Sequence, residues 1–224
     1  MRIGGFQKCS LIEYPGRICA VVFTQGCNFR CPYCHNPALV DRRLYRKPIP
    51  EKVIADFLDK RHGLLEAVTV TGGEPLLQKN IFAFLKSVKK QSYSVKLDTN
   101  GSFPEKLERI VSDKLVDYVA MDIKAPPQRY ASLAGVPVDW RAIRDSIEII
   151  ARSGIPHHFR TTEVKTLLSR NDIDEIRSLL PDSSQHILQE FRPELARDPA
   201  LRDPTRATTV TANRRKGNAV NRVH

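Results

Sequence analysis

An α/β fold on a parallel sheet follows from two features of the sequence. Short β-branched runs alternate six times with stretches of helical period, and the connections between them are short. The most reactive polar residues gather where those runs end: Thr24-Gln-Gly-Cys27, Thr71-Gly-Gly-Glu74, Asp98-Thr-Asn-Gly101, Asp122-Ile-Lys124 and Arg160 to Glu163. Parallel barrels carry their chemistry on the loops after the strand C-termini, so one decoration shared by these ends outweighs any single motif. Right-handed crossovers curl such a sheet into a barrel or wind it both ways.

In chain order, Ile18 to Thr24 is the first buried strand. Ala67 to Thr71, Ser94 to Asp98 and Tyr118 to Asp122 read the same way, followed by His158 to Thr162 and His186 to Glu190. Between them, Glu51 to Arg61 places Val53, Ile54, Phe57 and Leu58 on one helical side, and Asn80 to Lys90 does so with Ile81, Phe84, Leu85 and Val88. Leu107, Ile110 and Val111 mark a third helix, Trp140 to Ser153 a fourth and Asp172 to Leu180 a fifth. After Arg192 the periodicity fails, which divides the chain into a domain over 1–192 and a basic, weakly structured tail over 193–224.

A chain of 224 residues suits one domain and can bury a sizeable core. No apolar segment follows Met1 to Lys8 as in a signal peptide, and the longest apolar runs are too short to cross a bilayer, so a cytoplasmic location is expected. The net charge of +11 admits nucleic acid, an acidic protein or an anionic cofactor as partner. No helix-turn-helix, RNP or zinc-finger spacing accompanies that charge, so it does not support nucleic-acid binding.

Cys27, Cys31 and Cys34 stand in the spacing CxxxCxxC, in Gly26-Cys-Asn-Phe-Arg-Cys31-Pro-Tyr-Cys34-His35-Asn36-Pro37. Three thiolates on one loop can hold three irons of a cubane cluster and leave the fourth open, as a catalytic metal site requires. Thiolates also suit zinc, with His35 as a fourth ligand, and Cys31 to His35 matches the CxxCH attachment of c-type haem. Haem attachment leaves Cys27 without a role and needs an oxidising setting. Cys19, within a strand, reads as a small buried apolar residue. Cys9 has no firm reading.

With Gly72-Gly-Glu74 after it, this loop resembles the radical S-adenosylmethionine (SAM) superfamily. Ser10-Leu-Ile-Glu-Tyr-Pro-Gly16 and Cys31-Pro-Tyr-Cys-His-Asn-Pro37 further resemble the activating enzymes of glycyl radical enzymes, over roughly residues 1 to 192. The resemblance implies a partial (βα)6 barrel holding a [4Fe–4S] cluster on Cys27, Cys31 and Cys34, whose open iron binds SAM. Reductive cleavage of SAM then gives a 5′-deoxyadenosyl radical that takes a hydrogen from a glycine of a partner. Anaerobic ribonucleoside-triphosphate reductase is the implied partner, and a flavodoxin- or ferredoxin-like protein the electron donor.

Carried over position by position, Tyr33 packs near the adenine, and Gly72, Gly73 and Glu74 bind the SAM amino group. Asn100, Lys124 and Arg160 contact SAM, the two basic residues through its carboxylate or ribose. Asp98, Thr99 and Asp122 match positions that surround a monovalent cation in the relative that activates pyruvate formate-lyase. Read without the resemblance, Glu74 is an exposed turn residue, Asp98 and Asp122 are caps at strand ends, and the basic residues are surface charge. Glu163 departs from the more apolar run that the family suggests for the fifth strand.

Two other functions share part of this evidence. One is a radical SAM enzyme with a small-molecule substrate, such as a deazaguanine synthase. The other is a zinc-stabilised module that binds nucleic acid. Little chain is left after six βα units to build a lid, so the barrel mouth is expected to stay open, which suits a peptide glycine.

Overall fold

The computed structural model describes residues 1–203. Seven strands form one open sheet whose spatial order follows the chain: β1 Ile3–Ser10, β2 Cys19–Thr24, β3 Ala67–Gly72, β4 Ser94–Thr99, β5 Tyr118–Asp122, β6 His157–Glu163 and β7 Gln185–Glu190. Strands β2 to β7 pair in parallel, and β1 pairs antiparallel with β2. All six strands expected from the sequence are present. The additional strand, β1, escapes the apolar pattern because it contains Gly4, Gly5, Gln7 and Lys8 and lies at the sheet edge, where few of its side chains are buried.

Among the described residues, seven α-helices accompany the sheet: α1 Pro37–Val40, α2 Glu51–Lys60, α3 Ile81–Lys90, α4 Pro104–Ser112, α5 Tyr130–Ala134, α6 Trp140–Arg152 and α7 Arg170–Ser178. The expected periodicities hold in the five longer ones, with one exception: Val53 is exposed, and the buried side of α2 is Ile54 and Leu58. Ser169 and Asp172 form a capping box that starts α7. The short α5 was not legible as a helix, yet its Tyr130 is among the largest fully buried side chains.

Strand alternation sorts the buried residues into two layers. Ala20 and Val22, Val68 and Val70, Val95 and Leu97, Val119 and Met121, and Phe159 join the helices in the main core. Each such fully buried aliphatic or aromatic side chain contributes roughly 1.5–3 kcal/mol. The alternate positions Cys19, Val21 and Ala67 belong to a small second cluster with Tyr14, so the inner side of the curved sheet is only partly apolar. Its remaining buried positions include Thr69, Lys96, Asp98 and His158. A partial barrel with a polar interior results, unpaired between β1 and β7.

The boundary at residue 192 falls short. Residues 193–203 form two 3-10 turns against the cysteine loop: Asp198 N donates to Pro32 O at 2.8 Å, Arg197 Nη1 to Arg30 O at 3.1 Å, and Ala196 is fully buried. Pro, Asp and Arg in this stretch set turns instead of a periodic face, which is why the pattern broke there. The rest of the expected tail, 204–224, lies outside the described residues. Among the described residues no helix is long and apolar enough to cross a membrane.

Candidate active site

Strand β2 delivers Thr24 to the barrel mouth, where the cysteine loop begins. The loop crosses the end of β3 at backbone contact: Gly73 N donates to Thr24 O at 2.9 Å, and Glu74 N donates to Gly26 O at 2.8 Å. A Cβ on Gly73 would collide with the Gly26 carbonyl, and one on Gly72, whose φ is +118°, with the Thr24 backbone. The two glycines were expected to let a ligand approach. They line the cavity, but what they visibly admit is the backbone of the cysteine loop.

Cys27, Cys31 and Cys34 line one cavity together with Phe29, Tyr33, Gly72 and Gly73. Phe29 N donates to Cys27 Sγ at 3.3 Å, and Asn100 Nδ2 approaches it at 3.9 Å. Burial pushes the Cys27 thiol up to about 12 and the Cys31 thiol to about 11, and raises Cys34 as well. Without a metal these groups therefore keep their protons at neutral pH, and a thiolate-binding metal must displace them.

Neighbours hold the loop in shape. Arg30 Nη1 donates to the carbonyls of Cys27 and Phe29, each at 2.7 Å, and Arg30 N donates to Ala134 O at the end of α5. Asn28 donates to Ser102 and accepts from Asn100, which joins the cysteine loop to the loop after β4. Sequence reasoning missed Asn28 and Arg30 in this role, although both stand inside the motif.

This donor set fits an iron–sulfur cluster: three soft thiols on one loop, N–H groups directed at sulfur, and a cavity on the remaining side. It does not fit the zinc alternative. His35 Nε2 accepts from Arg192 N at 3.1 Å, and its ring stacks on Phe191. Among the described residues no three His, Cys, Asp or Glu side chains converge as a single metal ion requires.

Glu74 departs from both expectations. It is fully buried, and its carboxylate accepts from Leu76 N (2.9 Å), Thr99 Oγ1 (2.9 Å) and Asn100 N (2.7 Å). It therefore clamps the loops after β3 and β4 together and is not presented to the cavity as a ligand for an amine. Asn100 lines the cavity and ties it to that clamp; Tyr33 lines it as a buried ring.

The remaining predicted residues form a run of alternating charge. Asp122 and Arg160 are register partners on β5 and β6, and Arg160 Nε donates to Asp122 Oδ1 at 2.7 Å. Lys124 Nζ donates to Asp122 Oδ2 at 3.1 Å. Arg160 Nη2 also reaches Asp98 Oδ2 at 3.5 Å, while Lys96 Nζ donates to Asp98 Oδ1. Arg160 and Lys124 together hold the Asp122 carboxyl well below the usual carboxylate range despite its burial. Asp98, Asp122, Lys124 and Arg160 all line the same cavity as the cysteines.

The monovalent-cation reading of Asp98, Thr99 and Asp122 does not fit this arrangement. Thr71 Oγ1 and Arg160 share Asp98 Oδ2, Lys96 takes Asp98 Oδ1, both Asp122 oxygens have cationic partners, and Thr99 Oγ1 donates to Glu74. Lys96 was not singled out from the sequence, because a lysine within a strand ordinarily points to solvent.

The chain is similar to known proteins. The model of the "Radical SAM superfamily" matches residues 21–180. The Methanocaldococcus jannaschii protein MJ1227, which carries the name of a glycyl-radical enzyme activating enzyme, is 31% identical over 201 residues, 88% of this chain and 82% of that protein. The pyruvate formate-lyase-activating enzyme of Clostridium pasteurianum is 30% identical, over 80% of this chain and 76% of its own length. A shorter match, 32% identical over 51% of this chain, is to 7-carboxy-7-deazaguanine synthase of Methanopyrus kandleri, of which it covers 52%. Among solved structures, Streptococcus suis SuiB bound to precursor peptide SuiA superposes with a TM-score of 0.60 at 15% identity over 90% of this chain; the chain spans about half of that protein, 46%.

Proposed function

The chain belongs to the radical SAM superfamily, and from that premise we propose that it generates a glycyl radical on a partner enzyme, with anaerobic ribonucleoside-triphosphate reductase as that partner. The observation that carries this reading is the shape of the site. Cavity-lining residues come from both edges of the unpaired sheet, Glu13 after β1 and Gln189 on β7, so the thiols face an opening between the first and last strands. An opening of this kind admits a peptide loop more readily than it encloses a metabolite. Similarity to proteins named as activating enzymes over most of the chain supports the same choice.

Cys27, Cys31 and Cys34 would hold three irons of a [4Fe–4S] cluster. When bound, the cluster and SAM supply the electron and the hydrogen-abstracting radical. The chain's own residues orient and shield. Lys124 and Arg160 present positive charge at the cavity wall for the SAM carboxylate. Tyr33 would offer a ring for the adenine, and the Gly72–Gly73 backbone, which lines the cavity, would receive the SAM amine. Glu74, Asn28 and Asn100 fix the loops that carry these groups. The net charge of +11 favours encounter with an acidic, flavodoxin- or ferredoxin-like electron donor.

The test mixes reduced enzyme, SAM and the large subunit of the anaerobic reductase, and records an electron paramagnetic resonance spectrum. A glycyl doublet that disappears when the partner's radical-bearing glycine is replaced by alanine is the expected result. SAM cleavage without a protein radical, across several glycyl radical enzymes, would favour a small-molecule substrate.

A further inference from the structure

We propose that Lys96 is a built-in cation that takes the place of a monovalent metal ion beside the SAM site and positions Asp98 for that ligand. The proposal rests on the reading of the cavity as a SAM site.

Lys96 and Asp98 are two apart on β4, so both face the barrel interior. Both are buried, and they form an ion pair. They face different spaces. Asp98 lines the cavity of the cysteines, whereas Lys96 lines an adjoining one with Glu13, Tyr118, His158 and Arg160. The lysine thus lines the neighbouring space and pairs with a carboxylate that lines the cavity of the thiols, which lets it hold Asp98 in place.

Charge counting points the same way. The run Lys96, Asp98, Arg160, Asp122, Lys124 sets three cations against two carboxylates. Glu13, which lines both cavities, brings the count to three carboxylates, so the site is balanced with Lys96 as one of its three cations. An added metal ion would place an unbalanced charge in a buried site at heavy desolvation cost. It would also have to displace hydrogen bonds from Asp98, Thr99 and Asp122, all of which are made. Removing the lysine charge leaves one carboxylate unbalanced and frees Asp98 Oδ1 to accept a small cation, while the bonds of Thr99 and Asp122 stay in place.

The experiment uses the cluster-loaded protein and Lys96→Met, a side chain of similar length without the charge. SAM affinity is titrated at constant ionic strength in potassium, sodium and choline chloride, and thermal unfolding is followed in the same salts without SAM. The wild-type protein is expected to bind SAM equally well in all three and to unfold at one temperature. Lys96→Met is expected to bind SAM at least about tenfold more weakly in choline, as loss of a charged hydrogen-bond partner implies, and to regain affinity in potassium or sodium.

Three results overturn the proposal: wild-type affinity that rises with potassium or sodium, Lys96→Met binding as tightly as wild type in choline, or a variant weak in every salt with no rescue. If Lys96→Met does not fold, the wild-type salt series decides alone. Absence of SAM binding by the wild type in every salt would overturn the SAM-site reading, and this proposal with it, an outcome distinct from binding that depends on the ion.

Discussion

Five cysteines of one chemistry divide by surroundings. Cys27, Cys31 and Cys34 share a cavity, Cys19 is buried on the inner side of β2 beside Thr69, and Cys9 is exposed on β1. Anaerobic reconstitution should therefore load about four irons and four sulfides per chain. Alanine at Cys27, Cys31 or Cys34 should abolish that loading, while Cys9→Ala and Cys19→Ala should keep it; iron and sulfide analysis decides, and a full cluster in any of the first three variants would refute the ligand assignment. His158 offers a different residue-scale check. Burial, helped by the neighbouring charges of Lys96 and Arg160, lowers its pKa from 6.5 to about 4, and Tyr118 OH lies 2.9 Å from its Nδ1. Below pH 6.5 the unfolded chain takes up a proton that the folded chain refuses, so stability is lost as pH falls from 6.5 towards 4. Denaturant unfolding across that window should show a shallower loss for His158→Gln than for wild type. An equal slope would mean that His158 is not held neutral. The types and spacing of the reactive residues were legible in the sequence at this scale; their partners were not. Glu74 looks like a ligand or a turn residue until Thr99 and Asn100, some 25 residues away, close on its carboxylate.

At the scale of elements, strands β2 to β5 announced themselves because they are buried on both faces, and continuous apolar runs such as Cys19 to Val22 are the result. Elements that are half covered or built from turns did not. The glycines and polar residues of β1 hide an edge strand, and residues 193–203 hold the cysteine loop through turns and backbone hydrogen bonds that leave no periodic signature. Truncation within these turns should therefore weaken the cysteine loop. A chain ending at Leu195 loses the buried Ala196, the Arg197 bond to Arg30 O and the Asp198 bond to Pro32 O, all on the cysteine loop. It should reconstitute less iron and unfold about 1–3 kcal/mol more readily than the full chain, the cost expected for buried backbone groups left unpaired. Iron content and unfolding free energy equal to those of the full chain would show that these turns only rest against the loop.

For the whole molecule, the sequence carried the parallel character of β2 to β7 and the strand ends where chemistry gathers, while the order that makes a barrel came only with the family resemblance. It did not carry the polar interior, since Lys96, Asp98 and His158 become neighbours only when β4, β5 and β6 pair in register. The open barrel, the three thiols that line its cavity and its charged wall support one claim: the cavity binds and reductively cleaves SAM. The most direct test is to incubate the reconstituted, chemically reduced protein with SAM under anaerobic conditions and quantify 5′-deoxyadenosine and methionine by chromatography. The account predicts both products in equal amounts from the wild-type protein and neither from Cys31→Ala. A protein that holds a full, reducible cluster and yet forms no 5′-deoxyadenosine, with or without a glycyl radical partner, would contradict it.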